Sequence, residues 1–215
     1  TNLILHDIET PQIDRDNALA RRPYRSYSDA DRVDIILTNP PFGGMEEPGV
    51  ESNFPAQFQT KETADLFLAL IVHLLRDGGH GAIVLPDGSL FGEGVKTRLK
   101  EHLLARCDLH TVVRLPNGVF APYTDINPNL LFFSKGRPTR EVWYYEHPLP
   151  AGYKKYTKTR PIRIEEFDAQ KAWWHDRQEN EHAWRVTVDE IKARGYNLDI
   201  KNPNAADAAH GDPGK

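Results

Sequence analysis

"VDIILTNPPFGG", residues 33–44, decides how this chain is read. Val33, Ile35, Ile36 and Leu37 form a short apolar run bounded by turn residues, the pattern of a strand buried on both faces. Asn39-Pro40-Pro41 then stops it. The prolines fix φ and carry no N–H, so the turn is stiff and offers no competing donor. What it offers is acceptors, the Asn39 side-chain oxygen and the Pro40 carbonyl, with the Phe42 ring beside them. Turn chemistry alone would account for the prolines. Two fixed acceptors, however, suit an NH₂ group conjugated to an aromatic ring. Such an amine is a poor nucleophile because its lone pair is delocalised. Holding both of its hydrogens favours the pyramidal geometry that frees the pair for attack. Phe42 can cover the face of the ring, and stacking of that kind contributes roughly 1–3 kcal/mol.

Outward from this turn the pattern alternates. Residues 43–61 form a long polar segment, and loops of that length are usually functional or disordered. Leu66, Phe67, Leu70, Ile71, Leu74 and Leu75 repeat at helical spacing, with Gly78-Gly79 as the expected stop. "HGAIVLP", His80 to Pro86, is expected as a buried strand turned by Asp87-Gly88. Val95 to Cys107 reads as a helix, Leu109 to Leu115 as a third strand closed by Pro116-Asn117-Gly118, and Asn129 to Phe133 as a fourth. Strand and helix alternation implies right-handed crossovers and a mainly parallel sheet. The fourth strand follows too soon for a crossover helix, so it is expected antiparallel to the third. Beyond Lys135 the texture shifts to charges, aromatics and prolines. That region predicts a strand over Val142–Tyr145, a basic hairpin-like stretch, a helix near 165–180 and a closing segment. Residues 202–215 read as a polar, disordered tail. In an open α/β sheet, ligands bind beyond the carboxyl ends of the strands, which is where Asn39 falls.

Composition narrows the classes. The chain of 215 residues is 39% hydrophobic and 27% charged, an ordinary globular balance, and its net charge of −4 makes nucleic-acid binding a matter of a local basic face. The single cysteine, Cys107, cannot form an internal disulfide, which fits a reducing cytoplasm. No apolar run is long enough to span a bilayer, so no membrane role is expected. The nine histidines show no metal-binding spacing, so no metal site is expected. A start at Thr1, inside what reads as an element, suggests a piece of a longer chain.

Asn-Pro-Pro-Phe after an apolar strand resembles the catalytic motif of amino-group methyltransferases that use S-adenosylmethionine. "NLILHDIETPQI", "DNAL", "DRVDIILTNPPFGG", "TADLFLALIVHLLRDGGHGAIVLPDGSLF" and "RLPNGVFAPYTDINPNLLFF", in that order, resemble the modification subunit of type I restriction-modification systems. "AWWHDRQENEHAWRV" with "YNLDIKNPN" is similar to the family's next segment, so the likeness covers residues 2 to about 203. It implies the C-terminal part of a Rossmann-like methyltransferase fold, a mainly parallel α/β sheet with one antiparallel strand. It implies a catalytic part over residues 1–137, a C-terminal extension over 138–203 and a tail over 204–215. The reaction it implies is adenine-N6 methylation in double-stranded DNA, with specificity and restriction subunits as partners. Asn39 and Pro40 would hold the N6 amine, Phe42 would stack on a flipped-out adenine, and Phe120 in "NGVF" would supply the second ring. Asp16 or Asn17 in "RDNAL" would contact the cofactor adenine.

One departure is large. The family's glycine-rich cofactor loop is matched by neither "GGHGAI" nor "GEGVK", which fall on the wrong elements. The chain is therefore expected to carry the amine-binding half of the site, to bind cofactor weakly or not at all, and to self-associate through an open sheet edge.

Competing readings stand beside these. Phe120 can also serve as a core aromatic, and Asp16 and Asn17 can instead form an Asx turn. Asp87 is read as a turn residue, since methyl transfer to a neutral amine demands no dedicated base. Lys154, Lys155, Lys158, Arg160 and Arg163 lie in "YKKYTKTRPIR" with no acid among them, a candidate phosphate-contacting strip or a solvated hairpin. Cys107 follows Arg106 at a helix end, which argues against carbon-5 cytosine methylation. A methyltransferase for RNA or protein glutamine can share such a turn, and the chain alone can also be a non-catalytic binding or assembly module.

Overall fold

The computed structural model describes residues 9–204. Its strands are β1 (Val33–Thr38), β2 (Leu75–Pro86), β3 (Cys107–Arg114), β4 (Pro128–Lys135), β5 (Glu141–Glu146) and β6 (Ala183–Thr187). They form one sheet in the order β1-β2-β4-β3-β5-β6. The helices are α1 (Thr63–Leu74), α2 (Asp87–Phe91), α3 (Val95–Arg106), α4 (Asp168–His175) and α5 (Val188–Ala193). β1 pairs parallel with β2, and β3 with β5. β4 lies antiparallel between β2 and β3, and β6 runs antiparallel against β5. β1, β2, β3 and β5 thus share one direction, as the α/β reading expects. β6, read from the sequence only as part of a closing segment, adds a second antiparallel strand. Residues 138–203 extend the sheet of the residues before them rather than starting another.

Period-2 alternation sorts the central strands into two faces. Ile83, Leu85, Leu131 and Phe133 point to one face, where Leu66, Ile71, Leu99 and Leu103 of α1 and α3 meet them in the main core. Burying a side chain of that size contributes roughly 1.5–3 kcal/mol each. Leu130 and Phe132 point to the other face. There they pack with Phe167 and Trp174 in a smaller cluster built on Val113, Leu115, Tyr145 and Trp173. Two buried lysines hold helix ends on the main-core side. Lys100 Nζ donates to the Leu90 and Gly92 carbonyls at 2.8 Å each, and Lys135 Nζ donates to the Leu75 carbonyl at 2.7 Å. Burial lowers the Lys100 pKa to about 8.

Several expectations change. β1 is not buried on both faces: Ile35 is 64% and Leu37 75% exposed, because β1 is an edge strand and no described element covers its second face. α1 ends at Leu74, ahead of Gly78-Gly79, since Leu75 turns extended and enters β2 directly. Asp87-Gly88 opens the short helix α2 rather than a simple turn. The long polar segment is ordered by two 3₁₀ turns, Val50–Asn53 and Ala56–Phe58, and buries Phe54 and Phe58. The helix near 165–180 is shorter, a 3₁₀ turn over Ile164–Phe167 followed by α4. Of the expected tail, Asn202 Nδ2 bonds Glu146 Oε2 at 3.0 Å and the Glu181 carbonyl at 2.8 Å, so it is held in place. Residues 205–215 of that tail, and Asn2 to Ile8 of the N-terminal match, fall outside the described residues. Among the described residues, no helix is long and apolar enough to cross a membrane.

Candidate functional site

Because β1, β2, β3 and β5 run the same way, their carboxyl ends lie along one edge of the sheet. Asn39 follows β1, Asp87 follows β2, the loop bearing Phe120 follows β3, and the basic segment follows β5. Residues far apart in sequence therefore meet at one end of the fold.

Asn39 is exposed and Pro40 buried. Among the described residues the Pro40 carbonyl accepts no backbone hydrogen bond. Asn39 opens onto a cavity of about 330 Å³ floored by Leu37, Ala82, Val84, Leu130 and Phe132. The half-buried rings of Phe42 and Phe120 meet edge to face, with centroids 5.7 Å apart and planes at 79°. Two aromatic residues singled out separately in the sequence are thus neighbours.

The turn is held from behind. The Thr63 N–H at the start of α1 donates to the Gly44 carbonyl at 3.0 Å, and a Cβ on Gly44 would press on Thr63 and Pro41. Glu46 ties three segments together. Its Oε1 accepts from Thr63 Oγ1 at 2.7 Å and its Oε2 from Asn17 Nδ2 at 2.8 Å. Glu46 escaped the sequence reading because its partners are scattered. The only signal was an acid within an otherwise unexplained loop.

Asn17 also accepts from the Leu19 N–H at 2.9 Å, which is an Asx turn. Both ends of its amide are therefore engaged. Asp16 is exposed, with Oδ1 taking the Asn17 N–H at 2.8 Å, and it is the freer acceptor of the two. Asp87 is a structural partner, accepting from Asn129 Nδ2 at 2.7 Å beside Arg114 at 3.7 Å. Arg114 NH1 also pairs with Asp199 at 2.6 Å. Cys107 is buried in β3, and burial pushes its thiol up to about 12, which leaves no nucleophile for carbon-5 cytosine chemistry. No group of three or more metal-binding side chains occurs among the described residues.

Lys154, Lys155, Lys158, Arg160 and Arg163 are all exposed. Their segment folds back in a tight turn, with Thr157 and Arg160 exchanging backbone bonds of 3.1 and 3.0 Å. It stands against the Phe120 loop. The Tyr156 N–H donates to the Asn117 carbonyl at 3.0 Å, and Lys155 Nζ lies 3.5 Å from Asp125 Oδ1.

Comparison with known proteins places this arrangement. The family model described as N-6 DNA methylase matches residues 1–212. The chain is 57% identical over 99% of its length to the type I restriction enzyme EcoEI methylase subunit of Escherichia coli, and spans 44% of that relative. It superposes with a TM-score of 0.88 on a chain of a type I restriction-modification system, at 39% identity over 97% of this chain and 45% of that one. The M protein of the type I restriction enzyme EcoKI shares the fold, with a TM-score of 0.74 and 24% identity over 93% of this chain and 50% of that one.

Proposed function

The chain belongs to the N-6 DNA methylase family, and from that premise we propose that it forms the target-base half of a type I modification subunit's catalytic region. The reaction is methylation of adenine N6 in double-stranded DNA. The observation that carries this is the free Asn39-Pro40 acceptor pair at the carboxyl end of β1, with Phe42 and Phe120 brought together beside it. The DNA methylase family leaves RNA and protein glutamine as substrates without support.

The target adenine has to leave the duplex, because within it the amine is paired and out of reach. Phe42 and Phe120 receive the base; opening their edge-to-face contact gives each ring a surface to stack on it. Asn39 Oδ1 and the Pro40 carbonyl then accept the two N6 hydrogens and hold nitrogen pyramidal, lone pair outward. S-adenosylmethionine is the cofactor this chemistry calls for, and it supplies a methyl group on a positively charged sulfur. Asp16 is the described residue that fits it, an exposed carboxylate on the segment that Glu46 ties to the Asn39 turn. After transfer, the N6 cation gives its extra proton to water. Positioning supplies most of the acceleration. Lys154, Lys155, Lys158, Arg160 and Arg163 contact DNA phosphates, and specificity and restriction subunits complete the assembly.

The test is Asn39→Ala in the full-length enzyme with its specificity subunit. Methylation of target duplex is expected to fall about 100-fold or more, since a transition-state acceptor is lost. Cofactor affinity by calorimetry is expected to stay within a few-fold. Near-normal turnover would overturn the assignment.

A further inference from the structure

The basic segment and the base-stacking loop are joined by backbone. Gly118, in the sequence "NGVF", adopts φ +84°, and a Cβ there would run into the Tyr156 carbonyl. This is a close approach of main chain to main chain that only glycine permits. One residue earlier, the Asn117 carbonyl accepts the Tyr156 N–H at 3.0 Å. Asn117 also braces its own loop, donating from Nδ2 to the Asp125 carbonyl at 2.9 Å, and Asp125 is the residue that faces Lys155.

On the other side of the joint, Tyr156 is anchored. Its ring is fully buried and its hydroxyl donates to Glu166. Glu166 in turn accepts the Arg163 N–H at 2.9 Å, fixing the far end of the basic segment. Lys154, Lys155, Lys158 and Arg160 therefore stand exposed around a buried tyrosine, and the backbone of that tyrosine touches the loop carrying Phe120 two residues beyond Gly118.

We infer that the Gly118–Tyr156 contact is a positioning joint: phosphate contact on the Lys154–Arg160 arm sets the place of Phe120, so duplex engagement and base capture are one event. This rests on the base-stacking reading of Phe120. Neither residue touches substrate. Gly118 acts by allowing the approach, and Tyr156 by making the arm and the loop move together.

A double-mutant cycle in the full-length enzyme with its specificity subunit tests the joint, using duplex DNA with 2-aminopurine at the target position and the matching adenine duplex for turnover. Replacing Lys154, Lys155, Lys158 and Arg160 with alanine is expected to lower both DNA affinity and kcat at saturating DNA, each about 10-fold. Gly118→Ala is expected to keep DNA affinity within about two-fold while kcat and the fluorescence of the extruded base fall about 10-fold. In the combined variant the affinity loss of the arm is expected to persist with no further drop in kcat. Multiplying kcat effects would overturn the joint, and so would an arm variant with unchanged kcat or affinity. If Gly118→Ala does not fold, Tyr156→Phe takes its place: the backbone contact stays but the arm loses its Glu166 anchor, so kcat at saturating DNA is expected to fall, and an unchanged kcat would overturn the joint. Full methylation by Phe120→Ala would instead overturn the base-stacking reading itself.

Discussion

The two faces of the sheet are built from the same strands by the same alternation, yet they end in opposite conditions. On one face Leu131 is 1% and Phe133 0% exposed, sealed under α1 and α3. On the other, α4 covers β3, β5 and part of β4, while Ile35 and Leu37 of β1 stay open beside the half-buried Ala82 and Val84. The Asn39 cavity opens on this second face. The covered face is where the described residues find their stability, and the open face is where the Asn39 turn is displayed. Under the function proposed above, the apolar side chains left bare beside the Asn39 turn are a surface for binding rather than a failed core.

Three variants sharpen or break that contrast. Phe133→Ala is expected to destabilise the isolated 215-residue chain by about 3–5 kcal/mol in denaturant unfolding, because a filled site facing Gly81 becomes a cavity. A loss under about 1 kcal/mol would mean the covered face is not the main core.

A middling effect is expected where the closing segment is pinned to the covered side. Burial works against the Asp199 carboxylate, but the Arg114 guanidinium and Lys201 outweigh it and hold its pKa below the ordinary 3.8. A carboxyl depressed in the folded state adds stability above its unfolded pKa, and that contribution disappears as pH falls through the lowered folded value. Asp199→Asn is expected to destabilise by about 1 kcal/mol near pH 7, a drop of about 2–4 °C in Tm. The gap to the unsubstituted chain should close as pH drops below the ordinary carboxylate range. Thermal melts across that range decide it, and a gap independent of pH would remove the ion pair as its cause.

The smallest effect on stability belongs to the open face. Ile35→Ser with Leu37→Ser is expected to change unfolding free energy by no more than about 0.5 kcal/mol per site, since both side chains are already in water. The same pair should reduce self-association of the 215-residue chain in light scattering, because an apolar edge strand recruits others. Destabilisation approaching that of Phe133→Ala would erase the difference between the faces.

Much of this molecule is legible in the residues themselves. Short apolar runs ending in turn residues located β1 through β5, helical spacing located α1 and α3, and the ordered set of motifs around Asn39 named the family. These are local signals, carried by a strand's period of two, a helix's repeat and the conformational limits of proline and glycine. The helix stop at Leu74 and the helical turn at Asp87 were not legible, because glycine and Asp-Gly permit several endings and packing chooses among them. Burial of β1 was misjudged for a related reason. An apolar strand is the same string of letters in the middle of a sheet or at its edge, and only its neighbours decide.

What tertiary structure alone decided is the assembly of the site. Asn39, Phe120 and Lys155 sit on three connections of the chain, and nothing in their spacing says that they meet. The shared direction of β1, β2, β3 and β5 brings them to one end of the sheet. The fit of Gly118 against Tyr156 then brings two of those connections into contact. Sequence determines which chemistry each residue carries, because that is a property of the side chain. Which residues act together is a property of the strand order and of backbone approach, and those exist only once the chain is folded.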